Sequence, residues 1–205
     1  MIDTYLTIQK LAEGLFKDKG SKFFAYAFPI QNEEEIKQHI TTLKKQHHGA
    51  RHWCYGFRLG ADKKLFRASD DGEPSGTAGK PILNQIISAD LTDILVVVVR
   101  YFGGTLLGTN GLIQAYKTAA AEALRQCTII TKYMTHVCQV NFNTEITNLV
   151  MRFLKEYNTE IIQHTFDTEN EIIFSIRLSF TKKLINQLKE NNINCKILQH
   201  EQTKF

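Results

Sequence analysis

Two segments of this chain carry residue types suited to holding an anion. The first, Asp70-Asp71-Gly72-Glu73-Pro74-Ser75-Gly76-Thr77-Ala78-Gly79-Lys80-Pro81, is expected to join a strand to a helix. Gly72, Gly76 and Gly79 let the backbone take positive φ and let its N–H groups approach another molecule. A helix start with free N–H groups, the hydroxyls of Ser75 and Thr77, and the cation of Lys80 would suit a phosphate or carboxylate. The loop is not of the Walker A type, because Pro74 stands where that pattern needs glycine and Pro81 where it needs Ser or Thr. The second segment, Arg100-Tyr101-Phe102-Gly103-Gly104-Thr105-Leu106-Leu107-Gly108-Thr109-Asn110-Gly111, has the same design. If both loops lie at one sheet edge, they form a single surface. On it Lys80 and Arg100 would hold phosphates, and Tyr101 or Phe102 would stack on an unpaired base. The plainer reading of the glycines is tight turns and close helix packing.

Other chemistries find less support. Asp71 and Glu73 have the type needed for a general base or for magnesium beside a phosphate. More often acids such as Asp70, Asp71 and Glu73 simply shape a turn through side-chain to backbone bonds. On a strand, His52 and Cys54 would face one side, yet no second ligand pair is spaced to close a tetrahedral site, and no Pro-Cys-x-x-Cys follows. No metal and no cofactor are expected. Ser75 lacks the GxSxG elbow, no nucleophile stands beside a spaced base, and catalytic residues are unknown. The four cysteines (Cys54, Cys127, Cys138, Cys195) are scattered, as in a chain with reduced thiols.

The elements that must position these loops follow from periodicity. In residues 1–132, Tyr5 to Ile8 and Lys22 to Ile30 are expected strands. A helix follows, with Asn32 as its cap, Glu33 to Glu35 at its positive end, and Ile36, Ile40 and Leu43 as its apolar stripe. Gly49 is expected to stop it. His52 to Leu59 and Lys64 to Ala68 form a hairpin, Pro81 opens a helix, and the unbroken run from Ile94 to Tyr101 is a strand buried on both faces. A helix then spans Asn110 to Gln126. Residues 133–205 read as strand His136 to Phe142, helix Glu145 to Tyr157, strands Glu160 to Phe166 and Glu171 to Phe180, helix Lys182 to Glu190, and strand Asn194 to Gln199. Thr144 and Thr181 are expected caps. The order βαββαβ matches a ferredoxin-like sandwich.

Composition sets the outer limits. The 205 residues, 43% hydrophobic and 22% charged, suffice for two domains with real cores. All 12 glycines lie at or before Gly111 and all three prolines at or before Pro81, so two styles of chain meet near Ile130 to Thr135. The net charge of +4 is concentrated, since residues 1–132 hold 17 Lys and Arg against 13 Asp and Glu, while the rest hold 8 of each. A basic first part permits a phosphate-rich partner. The longest apolar run, Ile94 to Val99, is far short of the roughly 20 residues a membrane span needs, and no apolar leader is apparent. A cytoplasmic protein is expected.

The motif residues also carry a resemblance. Asp71 to Ile82, then Val98-Val99-Arg100-Tyr101-Phe102-Gly103-Gly104, Leu107-Gly108, Gly111-Leu112 and Ala115-Tyr116 resemble the IMPACT/YigZ family, as do Ala50-x-His52-x-Cys54 and Ser21-Lys22-Phe23. The resemblance covers about residues 3–130, and the rest is similar to the C-terminal domain of bacterial members. It implies an α+β protein. The first domain would share the fold of a ribosomal small-subunit protein and of elongation factor G domain IV, and the second, ferredoxin-like, that of domain V. The resemblance implies that eukaryotic relatives restrain a kinase that phosphorylates an initiation factor by competing for its activator; they carry an extra N-terminal domain that this chain lacks, so that partner is not carried over. The departure from the pattern is Asn110, where glycine is common. The expected function is therefore translation-related binding of RNA, the ribosome or a protein partner through the glycine loops, rather than catalysis. An enzyme acting on a phosphorylated small molecule and a pure protein adaptor are the rivals. The oligomeric state is not legible.

Overall fold

The structure, a computed structural model, describes residues 3–166 and 170–202. The chain separates into Leu6–Thr131 and a second unit made of Lys132 onward together with the residues up to Tyr5. The division falls inside one long strand, β7 (Ile129–Phe142), at the polar Thr131-Lys132-Tyr133 stretch within the expected region Ile130 to Thr135.

In the first unit β2 (Ala12–Asp18), β3 (Ser21–Pro29), β4 (His52–Leu59), β5 (Leu65–Ser69) and β6 (Ile94–Tyr101) form one antiparallel sheet in the order β2-β3-β6-β4-β5. The central β6 has no polar residue before Arg100, and it is buried at every position from Ile94 to Arg100. Its residues alternate between two cores, because side chains two apart share a face. Val96 and Val98 pack with Ile82, Ile86, Leu112 and Tyr116 of α2 (Gly79–Ser88) and α3 (Gly108–Arg125). Leu95, Val97 and Val99 pack with Ile36 and Leu43 of α1 (Glu33–Gln46) on the other face. Each fully buried side chain of this kind contributes about 1.5–3 kcal/mol over its exposed state.

Local chemistry sets several ends. The Asn32 side chain accepts from the Glu35 N–H, and Glu33 to Glu35 lie at the positive end of α1. α1 ends at Gln46 with His47 as its cap, three residues before the expected Gly49 stop is reached. Pro81 lies in the first turn of α2, where its missing N–H costs nothing. β2 was not expected from the sequence. Gly14 and the charges of Glu13, Lys17 and Asp18 mask its alternation, and the pairing with β3 supplies what propensity lacks.

The second unit has the order β7, α4 (Thr147–Glu156), β8 (Glu160–Phe166), β9 (Asn170–Arg177), α5 (Leu178–Glu190), β10 (Cys195–Gln202). Its strands lie β10-β7-β9-β8, with β1 (Thr4–Ile8) also in the sheet beside β7. This is the ferredoxin-like arrangement, and Cys138, Val140, Ile172, Phe174, Leu184 and Leu188 form its core. Thr144 opens a short 3-10 turn ahead of α4. Thr181 is not a cap. It lies within α5, where its hydroxyl donates to the Arg177 carbonyl and meets His136 Nδ1 at 3.0 Å. Asp3 accepts from Nε and Nη2 of Arg177 and from the Ser179 N–H, and the Arg177 bonds hold its carboxyl well below the usual carboxylate range against the effect of burial. Among the described residues no helix is long and apolar enough to cross a membrane.

Candidate functional site

The two glycine loops come together because β4 and β6 run antiparallel. His52, at the start of β4, pairs with Arg100 near the end of β6. The loop after β5 and the loop after β6 therefore lie at the same end of the sheet. Glu73 of the first loop reaches across to β6, where Arg100 Nη1 donates to its Oε1 at 2.6 Å. The Tyr116 hydroxyl donates to the same oxygen at 2.7 Å, and His52 Nε2 lies 3.9 Å from it. The side chains of Arg100 and Glu73 are only 6% and 4% exposed, so this is a buried ion pair rather than a surface one. It also relies on Tyr116, whose burial in α3 pushes its hydroxyl pKa up and keeps it a donor.

The first loop satisfies itself. The amides of Gly76, Ala78 and Gly79 donate to the Asp70 carboxylate at 2.8, 3.0 and 2.8 Å. Burial alone would raise the Asp70 carboxyl, but the three amides outweigh it and hold the pKa below the ordinary value. The helix start expected to await an outside anion thus already holds an internal one. The neighbouring side chains are structural as well. Asp71 accepts from the Trp53 N–H at 2.7 Å, with Lys44 Nζ at 3.5 Å. Thr77 donates to the Pro74 carbonyl at 2.7 Å. His52 Nδ1 is 2.9 Å from the Asp71 carbonyl, which can only accept, so that nitrogen carries the proton. Cys54 donates to the Asp70 carbonyl, and burial pushes its thiol up, away from nucleophilic character. Ser75 and Lys80 are exposed, and Gly72 lies against His52.

The second loop is arranged differently. α3 opens at Gly108 with no side-chain cap and no acidic residue in its first turn. A cavity of about 370 Å³ lies against this start, lined by Arg51, His52, Glu73, Arg100, Phe102 and Leu106 among others. Leu106 is 84% and Phe102 40% exposed. The guanidinium carbons of Arg51 and Arg100 lie 5.7 and 5.6 Å from the Phe102 ring centre. Arg100 Nε is buried without a hydrogen-bond partner. Asn110 is exposed on the first turn. Tyr101 points to the opposite face of the sheet, where its hydroxyl meets His47 Nδ1 at 3.0 Å, so it takes no part in the cavity. Gly103 is structural, since a Cβ there would overlap the backbone of Gly20 in the β2–β3 turn. Gly104 has φ +88° with open space around it.

The structure thus gathers Glu73, His52, Arg100, Phe102 and Gly108 at one site, and leaves Lys80, Ser75 and Tyr101 outside it. Sequence reasoning missed Arg51 and Tyr116 as members. Arg51 had no motif signal of its own, and it joins the site because its N–H pairs with the Arg100 carbonyl. Among the described residues no three His, Cys, Asp or Glu side chains converge as a metal cluster.

A sheet backed by helices on both faces, with two glycine loops at one end, and a ferredoxin-like second unit define a two-unit α+β protein. The Impact N-terminal domain model matches residues 19–124, which include both loops. An IMPACT family member of Haemophilus influenzae is 31% identical over 183 residues, 88% of this chain and 89% of its own length. The IMPACT family member YigZ of Escherichia coli is 43% identical over 112 residues, 54% of this chain and 55% of its own. The chain belongs to the IMPACT family. A crystal structure of a hypothetical protein shares 27% identity at a TM-score of 0.75, over 98% of this chain and all of that one.

Proposed function

We propose that this protein is a translation-related regulator that binds RNA, free or on the ribosome, through the loop after β6. The observation that carries the reading is the uncapped start of α3, which lies beside Arg51, Arg100 and the exposed Phe102. Free helix amides and two guanidinium groups suit phosphate, and an exposed ring supported by cations suits a base. The first loop contributes Glu73, which anchors Arg100, rather than a phosphate cradle of its own. The link to translation comes from the family resemblance alone. Filter binding of single-stranded and structured RNA across several salt concentrations tests the reading. Affinity that falls steeply with salt supports it, and no binding at low salt contradicts it.

An enzyme acting on a phosphorylated small molecule has one observation in its favour: Glu73 and the half-buried His52 line the cavity, and the buried Tyr116 behind them donates to Glu73. Turnover of a phosphorylated metabolite that is abolished by Glu73→Gln, in a variant that still folds, would select it over the binding reading. A pure protein adaptor has no comparable observation.

A further inference from the structure

We propose that the β2–β3 hairpin continues the RNA-binding surface of the second loop, so that a single strand of RNA passes from that loop onto the outer face of β2 and β3. This rests on the reading of the second loop as an RNA element, and it adds a second surface to it. The two are physically joined. Gly20, in the hairpin turn, lies so close to Gly103 that a Cβ on either would overlap the backbone of the other, and the Gly103 N–H donates to Ser21 Oγ at 3.2 Å. Charge is what the hairpin leaves unmet. Lys17 and Lys22 are direct partners across β2 and β3. Directly opposed side chains share one face, about 4.5–5.5 Å apart at Cβ, and like charges there destabilise a sheet. Both lysines are exposed, and neither forms an ion pair among the described residues. Lys19, exposed in the turn, adds a third cation. Asp18, the acid next to them, alternates onto the other face with its partner Ser21. A phosphate held between Lys17 and Lys22 replaces their repulsion with two charge-assisted hydrogen bonds.

Beyond the lysines the same face turns apolar. Leu15 stands opposite Phe24, and Glu13 opposite Tyr26. Leu15 is 44% exposed, and the rings of Phe24 and Tyr26 are half-buried, each with its centre 5.6 Å from that of the His47 ring. The Tyr26 hydroxyl meets His47 Nε2 at 2.8 Å, which fixes its ring. Aromatic and apolar side chains beside unpaired cations are the composition of a single-strand site, where bases lie on rings and phosphates on lysines. Glu13, the acid of this strip, can only accept, which suits the N–H groups of a base edge and not a phosphate. Lys22 to Tyr26 spans about 13 Å of strand, so phosphate and base are met by different residues of one row.

The test uses the full chain and filter binding of a twelve-nucleotide oligouridylate across several salt concentrations. Lys17→Gln combined with Lys22→Gln should lower the slope of log affinity against log salt by about 1.4, two phosphates at about 0.7 each. Leu15→Glu should weaken binding at least about fivefold by placing a carboxylate where a base would lie. Leu65→Glu, equally exposed on β5 at the opposite edge of the sheet, adds the same charge and should change affinity less than about twofold. All of these positions are exposed, and melting curves check that each variant keeps its fold. RNA binding whose slope is untouched by the paired lysine changes, with Leu15→Glu no weaker than Leu65→Glu, would overturn the proposal and leave the reading of the second loop standing. No RNA binding by the unaltered protein would overturn both.

Discussion

Arg100 Nη1 lies 2.6 Å from Glu73 Oε1, so the end of the central strand holds a loop 27 residues away in sequence. The pair is buried, and its strength depends on both charges being present. Removing one partner should therefore cost more than removing both. Glu73→Gln or Arg100→Met alone should destabilise the fold by about 3–5 kcal/mol, because each leaves an uncompensated group. The double variant should lose less than the sum. Urea denaturation of the four proteins checks this, and additive losses would show that the contact carries no coupling.

Asp70 should be the residue on which the first loop depends. Replacing it with Ala leaves the amides of Gly76, Ala78 and Gly79 without their acceptor. A loss of about 3 kcal/mol or more is expected from orphaned donors at a carboxylate site. Lys80→Gln, at an exposed position, should change the unfolding midpoint little.

Acid should weaken both units through carboxylates whose folded pKa values are depressed. Asp3 is lowered chiefly by Arg177, and Asp70 is lowered by its three amides against burial. A depressed carboxyl adds stability above its unfolded value, about 3.9, and that stability is lost as pH falls through the folded value. Denaturation midpoints measured from pH 7 to pH 2 should fall mainly below about pH 4. In Asp3→Asn the fall should be smaller.

Two adjacent glycines should respond differently to the same change. Gly103→Ala places a Cβ into the backbone of Gly20, so the β2–β3 turn must move. Gly104→Ala meets nothing and costs only its left-handed backbone, about 1–2 kcal/mol. Thermal melts should place Gly103→Ala clearly lower. Equal melting points would mean that the turn yields freely.

How much of this was legible in the sequence depends on the range of each interaction. β6 was plain from its unbroken apolar run, and β8 was expected with the bounds it has, Glu160–Phe166. β2 was hidden because its strand character comes from pairing with β3. The need of the first loop for an anion was visible in its glycines, but not that Asp70 would supply it. A side chain at the end of β5 can fold back onto amides six to nine residues ahead, and no spacing rule announces that. The uncapped start of the second loop's helix was not legible, because the helix was expected from Asn110 whereas it opens at Gly108 after Leu107, which has no side-chain acceptor. Arg51 entered the site only through the pairing of its N–H with the carbonyl of Arg100.

The central claim is that the second loop, not the first, meets the phosphates of RNA. It is tested most directly by the salt dependence of RNA affinity in the unaltered protein, in Arg51→Gln and in Lys80→Gln, measured side by side by filter binding. We expect the slope of log affinity against log salt to fall by about one for Arg51→Gln and to stay unchanged for Lys80→Gln. An unchanged slope for Arg51→Gln, with a reduced one for Lys80→Gln, would contradict the account.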